Sequence, residues 1–414
     1  MNSAEQNRQE AHRAYRTYRS YGTYGTYGTY GTYRTVLGML LAVALLVGCQ
    51  KKVEEEVEKE RLGAAIGFQA EVIEGATRAA GEGELTTALL QTKGFGVYAW
   101  YTGTTNFDDF STYPHIKDYL GTTGYVLMRN QKVEYNGSKW DYSPTKYWPV
   151  DPDEKLTFRA YAPYTNYLMT DTKGMPQLPV VVAADDYHNG KQHDPLWGTG
   201  VTDANDKRYG THYNNYTWAQ SGQYYTDPTG GDATNGTIDW YFHHGMAKLI
   251  LQGILSSEAQ VSATDFAINS IILSPFYTQG LLDISSAAAS ATDKPTWSER
   301  DGGMTVTLEA ADLKSGVTLN KQGEGSQDVY LDLLDNGLLI IPRVFDSSNP
   351  LVITIHYTAS GVEREAVAQL DNLTCDGNTT YTFRLIINPI TSSIKVNVCV
   401  NTDWQTGIYS QEEM

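Results

Sequence analysis

The bond between Arg78 and Ala79, in Thr77-Arg78-Ala79-Ala80, is an arginyl bond flanked by small residues, of the kind a trypsin-like protease accepts. It closely follows Ile66, Phe68, Ala70 and Val72, which alternate with polar or small neighbours in the period of a strand with one buried face. Farther along, Asp151, Asp153 and Glu154 are carboxylates of the type calcium uses. They lack the longer alternating run with glycine that a calcium loop needs, and with Pro149 and Pro152 they read as a turn before a strand at Leu156. His243 and His244 are adjacent, so in a strand they project to opposite faces and cannot share one metal. The expectation is no metal, no cofactor and no catalytic residue, because nucleophile elbow, histidines at metal spacing and phosphate-cradling glycine loop are all missing. A glycosidase-like pair among the many acids is the one enzymatic alternative.

A ligand-binding alternative comes from the polar segment between Asp185 and Asp239, which is poor in aliphatics and rich in rings. Tyr187, Trp197, Tyr209 and Trp218 stand among Asn and Asp there, and exposed flat rings in such company stack on sugars. That makes a surface glycan-binding protein the competing reading; the plainer account is a loop whose rings pack on the body of the fold. Cys375 and Cys399 are expected as free thiols. Strands at Thr380 to Asn388 and Ile394 to Val400, joined by a Pro-containing turn, pair 388 with 393 and set Cys399 opposite residue 382. Cys375 is then about 23 Å away at about 3.3 Å per residue, beyond disulfide reach.

These groups need positioning, and the N-terminus indicates where. Val36 to Gly48 is an uncharged, mostly aliphatic run too short to span a bilayer, preceded by Arg34 and ended by Leu46-Val47-Gly48-Cys49. It resembles a bacterial lipoprotein signal, which implies that Cys49 carries acyl chains into outer-membrane lipid and becomes the mature N-terminus. Upstream, the three-residue YGT repeat has no aliphatic residue with which to build a core. Residues 1–48 are therefore low-complexity sequence plus signal, and 49–61 is a charged tether. The chain has net charge −17; its first 48 residues hold five Arg and two Glu, so the remainder carries −20. Such acidity repels phosphate backbones, and no nucleic-acid partner is expected.

The body reads as β throughout. Short β-branched or aromatic runs at 94–101, 124–130, 155–164, 178–184, 304–310, 338–344 and 351–358 are separated by Gly, Pro, Asn and Asp. Residues 246–254 and 262–269 suit a short helix or another strand. With no strand–helix alternation, the expected class is all-β, in antiparallel sandwiches. About 340 residues after Arg78 exceed one core, which points to two domains.

FGVYAWYTG (95–103), KWDYSPTKYWPVDPDEKLTFRAYAPY (139–164), DPLWGTG (194–200), YFHHGMAKL (241–249) and TYTFRLIINPITSSIKVNVCVNTDW (380–404) occur in this order. Together they resemble the fimbrillin family, the subunits of type V pili, over most of residues 62–404. The resemblance implies two tandem transthyretin-like β-sandwich domains, placed at 62–247 and 248–414. It implies a lipoprotein precursor of the outer membrane that ends in a fimbrium on the cell surface. It also implies that an arginine-specific protease cuts after Arg78 and removes the strand at 66–74. The groove left by Ile66, Phe68, Ala70 and Val72 then accepts a strand from another subunit. The tail TGIYSQEEM offers Ile408 but then Ser410 and Glu412 at alternating positions, poor residues for insertion into an apolar groove. A tip or minor subunit contacting a host or bacterial surface glycan or protein is expected rather than the repeating shaft unit.

Overall fold

A computed structural model describes residues 65–73, 84–109, 125–149, 151, 153–188, 191–200, 206–217, 236–259, 262, 265–290, 292–323, 327–401 and 410–411. Cys49, Arg78, Ala79 and Trp218 lie outside them, as do the signal and tether. The described chain is almost all β.

In chain order it forms β1 (Gly67–Val72), helix α1 (Thr87–Lys93), β2 (Phe95–Gly103), β3 (Tyr125–Tyr135), β4 (Trp140–Asp141) and β5 (Lys155–Ala162). Next come β6 (Met169–Thr170), β7 (Pro176–Val181), β8 (Leu196–Thr199), β9 (Thr237–His244), β10 (Ala247–Leu255) and β11 (Phe266–Phe276). Then follow β12 (Gln279–Asp283), β13 (Trp297–Asp301), β14 (Met304–Glu309), β15 (Leu331–Asp332), β16 (Leu338–Ile340) and β17 (Arg343–Phe345). The last are β18 (Leu351–Ala359), β19 (Val362–Leu370), β20 (Leu373–Cys375), β21 (Thr379–Asn388), β22 (Ser393–Asn401) and β23 (Ser410–Gln411).

One sheet runs β1-β9-β8-β5-β2-β3-β4. A second runs β14-β11-β18-β19-β22-β21-β10-β15, with β16 beside β10 and β23 beside β22. Two small sheets, β13-β12-β7-β6 and β17-β20, complete the architecture. Buried apolar side chains gather in two large clusters. One is drawn from β1 to β9; the other is drawn mainly from β10 onward and also takes Leu178 and Val180 of β7.

Sequence explains most elements directly. β18 reads LVITIHYTA and is buried at every second residue, the pattern of a strand with one solvated face. β2, hydrogen-bonded between β3 and β5, is buried on both faces and correspondingly apolar throughout. All but Met246 of residues 246–254, open to either state on sequence, lie in strand β10, paired in parallel with β21 over nine residues from Ala247↔Thr379 to Leu255↔Ile387. Helix α1 was not anticipated. Thr86 caps it by accepting from Leu89 N, and Gly94, at φ 69°, ends it by donating to Leu90 O. Among the described residues no helix is long and apolar enough to cross a membrane.

Candidate functional site

β1 forms one end of its sheet and runs parallel to β9, in register from Gly67↔Thr237 to Val72↔Phe242. Ile66, Phe68 and Val72 are 2%, 5% and 3% exposed, Ala70 is half-buried, and Gln69 is exposed. The Phe68 ring packs edge-on against Phe95 at 6.1 Å and against Tyr142 at 5.3 Å. Polar contacts hold the ends of the strand. Tyr142 donates its hydroxyl to Ile66 O (2.8 Å), Ile66 N donates to Lys146 O (2.8 Å), and Val72 N donates to Thr87 Oγ1 (2.9 Å). On the outer face, Lys207 Nζ lies 3.1 Å from Glu71 and above the Tyr241 ring. Nearby on β9, burial raises the Asp239 carboxyl to about 6, against the pull of Lys207.

Magnitudes place this strand near balance. Burying three large apolar side chains contributes about 1.5–3 kcal/mol each, and ordering six backbone residues costs about 1–2 kcal/mol each. The ladder hydrogen bonds, at about 1 kcal/mol each, decide the outcome. The strand's burial and its ordering cost are thus of similar size.

The sheet curls so that its two ends, β1 and β4, come close. Between them lies a groove of about 700 Å³, lined by residues 65–70 on one side and by Tyr135, Trp140, Tyr142 and Thr145 on the other. Glu84 and Leu85 are held by contacts to residues outside β1. Leu85 N donates to Asp194 Oδ2 (2.7 Å), and the same oxygen lies 2.8 Å from His244 Nδ1, with both side chains buried. Lys248 Nζ lies 2.6 Å from Glu84. Burial alone depresses the His244 imidazole, but the charge and hydrogen bond of Asp194 outweigh it and hold the group above its ordinary value. Its neighbour His243 faces away, bonded to Thr199 Oγ1 at 2.8 Å, and burial lowers it to about 3. Sequence offered no signal for these partners, which lie 44 to 164 residues apart.

The ring-rich segment requires a correction. Trp197 is 1% exposed on β8, packed against His243, and Tyr187 is buried and donates its hydroxyl to Leu339 O (2.8 Å). Neither offers a face to a sugar. Tyr209 is half-buried beneath Arg208. Trp197 is buried because β8 is an interior strand between β5 and β9 rather than part of a loop, and Tyr187 because the 3-10 turn at Ala184–Asp186 carries it against Leu339.

The carboxylates at 151–154 make a turn, in which Asp151 Oδ1 accepts from Asp153 N (2.9 Å) and Glu154 accepts from the Tyr101 hydroxyl. No cluster of three metal-ligating side chains occurs among the described residues. Cys375 and Cys399 are buried and free; Cys399 sits opposite Thr382, and burial pushes the Cys375 thiol up.

The described residues thus form an almost all-β fold with β1 at one end of its sheet. The family described as fimbrillin-like matches residues 77–404, and the chain belongs to it. It is a subunit of the fimbrial and cell-adhesion type, a cell-surface protein of a structural family whose members assemble with other fimbrial subunits. Among solved structures, a fimbrial protein from Bacteroides vulgatus has 17% identity and TM-score 0.53, covering 82% of this chain and 99% of its own. A putative cell adhesion protein from Bacteroides ovatus has 11% identity and TM-score 0.42 over 84% and 100%. The tip fimbrial protein Mfa3 from Porphyromonas gingivalis, with C-terminal truncation, has 12% identity and TM-score 0.34 over 81% and 99%. No curated protein matches.

Proposed function

We propose that the chain is a non-enzymatic fimbrial subunit, exported as a lipoprotein acylated at Cys49, cut after Arg78, and polymerised by exchange of β1 for a strand of another subunit. The observation that carries this reading is the placement of β1: a buried, near-balanced strand at a sheet end, ahead of an arginyl bond, while Leu85 onward is anchored separately to Asp194. Holding its own strand in the groove keeps a sheet edge covered until assembly. The two hydrophobic clusters support a division into two sandwich domains near residue 247. We further propose a tip or minor position for the subunit.

Mass spectrometry of the protein from cells and from isolated fibres tests the maturation steps. The expected species are an acylated precursor beginning at Cys49 and a fibre form beginning at Ala79. A fibre form beginning at Cys49 refutes the cleavage. Immunogold labelling restricted to fibre ends is expected; regular labelling along the shaft refutes the tip assignment.

A further inference from the structure

We infer that the β1 groove is under-filled at one register position, that of Ala70, and that the strand replacing β1 carries a bulky apolar side chain there. The inference rests on the reading of β1 as exchangeable and deepens it by specifying the partner. Four residues occupy inward positions along this segment: Ile66, Phe68, Ala70 and Val72. Three of them are large and nearly fully buried, and the fourth is a methyl group left half-exposed.

The space beside Ala70 is substantial. The groove of about 700 Å³ begins at the β1 side and is walled opposite by Tyr135, Trp140 and Tyr142. Tyr135 and Tyr142 are only partly buried although both pack on the core. Phe68, two residues earlier on the same face, already reaches Tyr142, which shows that a long side chain from this face of β1 can touch the opposite wall. A Leu, Met or aromatic side chain at the Ala70 register would extend over the exposed part of the Tyr135 and Tyr142 rings, which a methyl group is too short to cover. The partner is therefore an extended segment with four inward apolar positions, the third of them large. It makes the same parallel ladder to β9 as β1 does, and its advantage comes from this one position. The resident strand is thus a deliberately weaker occupant than its replacement, which drives exchange forward without a change in backbone pairing.

The test uses the full uncut chain, unfolded by denaturant, as parent, Ala70→Leu and Phe68→Ala. Adding three partly buried carbons at residue 70 is expected to raise the folding equilibrium constant about tenfold. Ala70→Leu should also slow the loss of the fragment ending at Arg78 from protein cut after that residue, again by about tenfold. An Ala70→Leu midpoint equal to or below that of the parent overturns the inference. Phe68→Ala separates this failure from failure of the underlying reading. A lowered midpoint for Phe68→Ala beside an unchanged one for Ala70→Leu leaves the strand reading standing and removes the selective position. Parental behaviour of Phe68→Ala removes the strand reading itself.

Discussion

Two parallel pairings stand out in sheets that are otherwise largely antiparallel, and they have opposite settings. β1 pairs with β9 over six residues at the end of a sheet, and among the described residues no second strand pairs with it in the sheet order. β10 pairs with β21 over nine residues in the interior of the other sheet, flanked by β15 and β16 on one side and β22 on the other. The same backbone geometry thus serves one strand at a sheet end and one in a sheet interior. Removing β1 uncovers one edge of β9. Removing β10 would detach β15 and β16 from the second sheet, uncover an edge of β21 and strip Leu249, Leu251 and Leu255 from the larger core. In the proposed exchange, position and flanking support set β1 apart, since parallel pairing itself is common to both.

The largest expected effect probes the anchor that separates β1 from the rest. Asp194→Ala leaves His244 and Leu85 N buried without their shared acceptor and should cost about 3–5 kcal/mol by denaturant melts, cut or uncut. A cost below about 1 kcal/mol would show that the chain after the arginyl bond is held by something else.

The next effect bears directly on the two strands. Phe68→Ala should cost about 3 kcal/mol or more in uncut protein and nothing once the fragment ending at Arg78 has left. Leu251→Ala, a fully buried change in β10, should cost about 3 kcal/mol in both forms. Equal behaviour of the two substitutions on cleavage would erase the contrast.

Sequence made part of this contrast legible. The inward row at Ile66, Phe68 and Val72 was readable because period-two alternation reports a buried face. The hairpin register of β21 and β22 was equally readable, since a short Pro-containing turn leaves little choice of pairing: Asn388 meets Ser393 and Thr382 meets Cys399. Alternation does not name a strand's partner, however, so the parallel pairings of β1 and β10 and the pairing of β7 with β12 were invisible. Loop composition misled at Tyr187 and Trp197, where Gly, Asn and Asp surround rings that a short interior strand and a 3-10 turn carry inward. The stretch at 338–344 was read as one strand; it divides at Ile341-Pro342, since proline lacks the N–H that a continuing ladder requires.

A smaller effect concerns pH. His243 sits at about 3 in the folded chain against about 6.5 unfolded, so the unfolded state takes up a proton that the folded state refuses. Its contribution is complete above about 6.5 and is lost as pH falls toward 3, by about 1.4 kcal/mol per pH unit. His244 has the opposite sign: its contribution is present below about 6.5 and is lost as pH rises through its raised folded value. Melts from pH 3 to 7 should show His243→Asn with a shallower acid-side slope than the parent; an unchanged slope would contradict the assignment. The smallest effect is Glu71→Gln. It removes an exposed pair with Lys207, both side chains nearly half exposed, and should cost at most about 0.5 kcal/mol, vanishing in high salt. A larger, salt-independent cost would mean that this pair, rather than the apolar row, holds β1 in place.

Hydrogen exchange on intact protein, on protein cut after Arg78, and on cut protein freed of the fragment is the most direct test of the central claim. The account predicts that loss of the fragment deprotects amides of β9 alone, while β10 and β21 keep their intact-chain protection throughout. Loss of protection in β10 and β21 together with β9 would show that β1 is an integral part of one cooperative fold, and would contradict its role as an exchangeable strand.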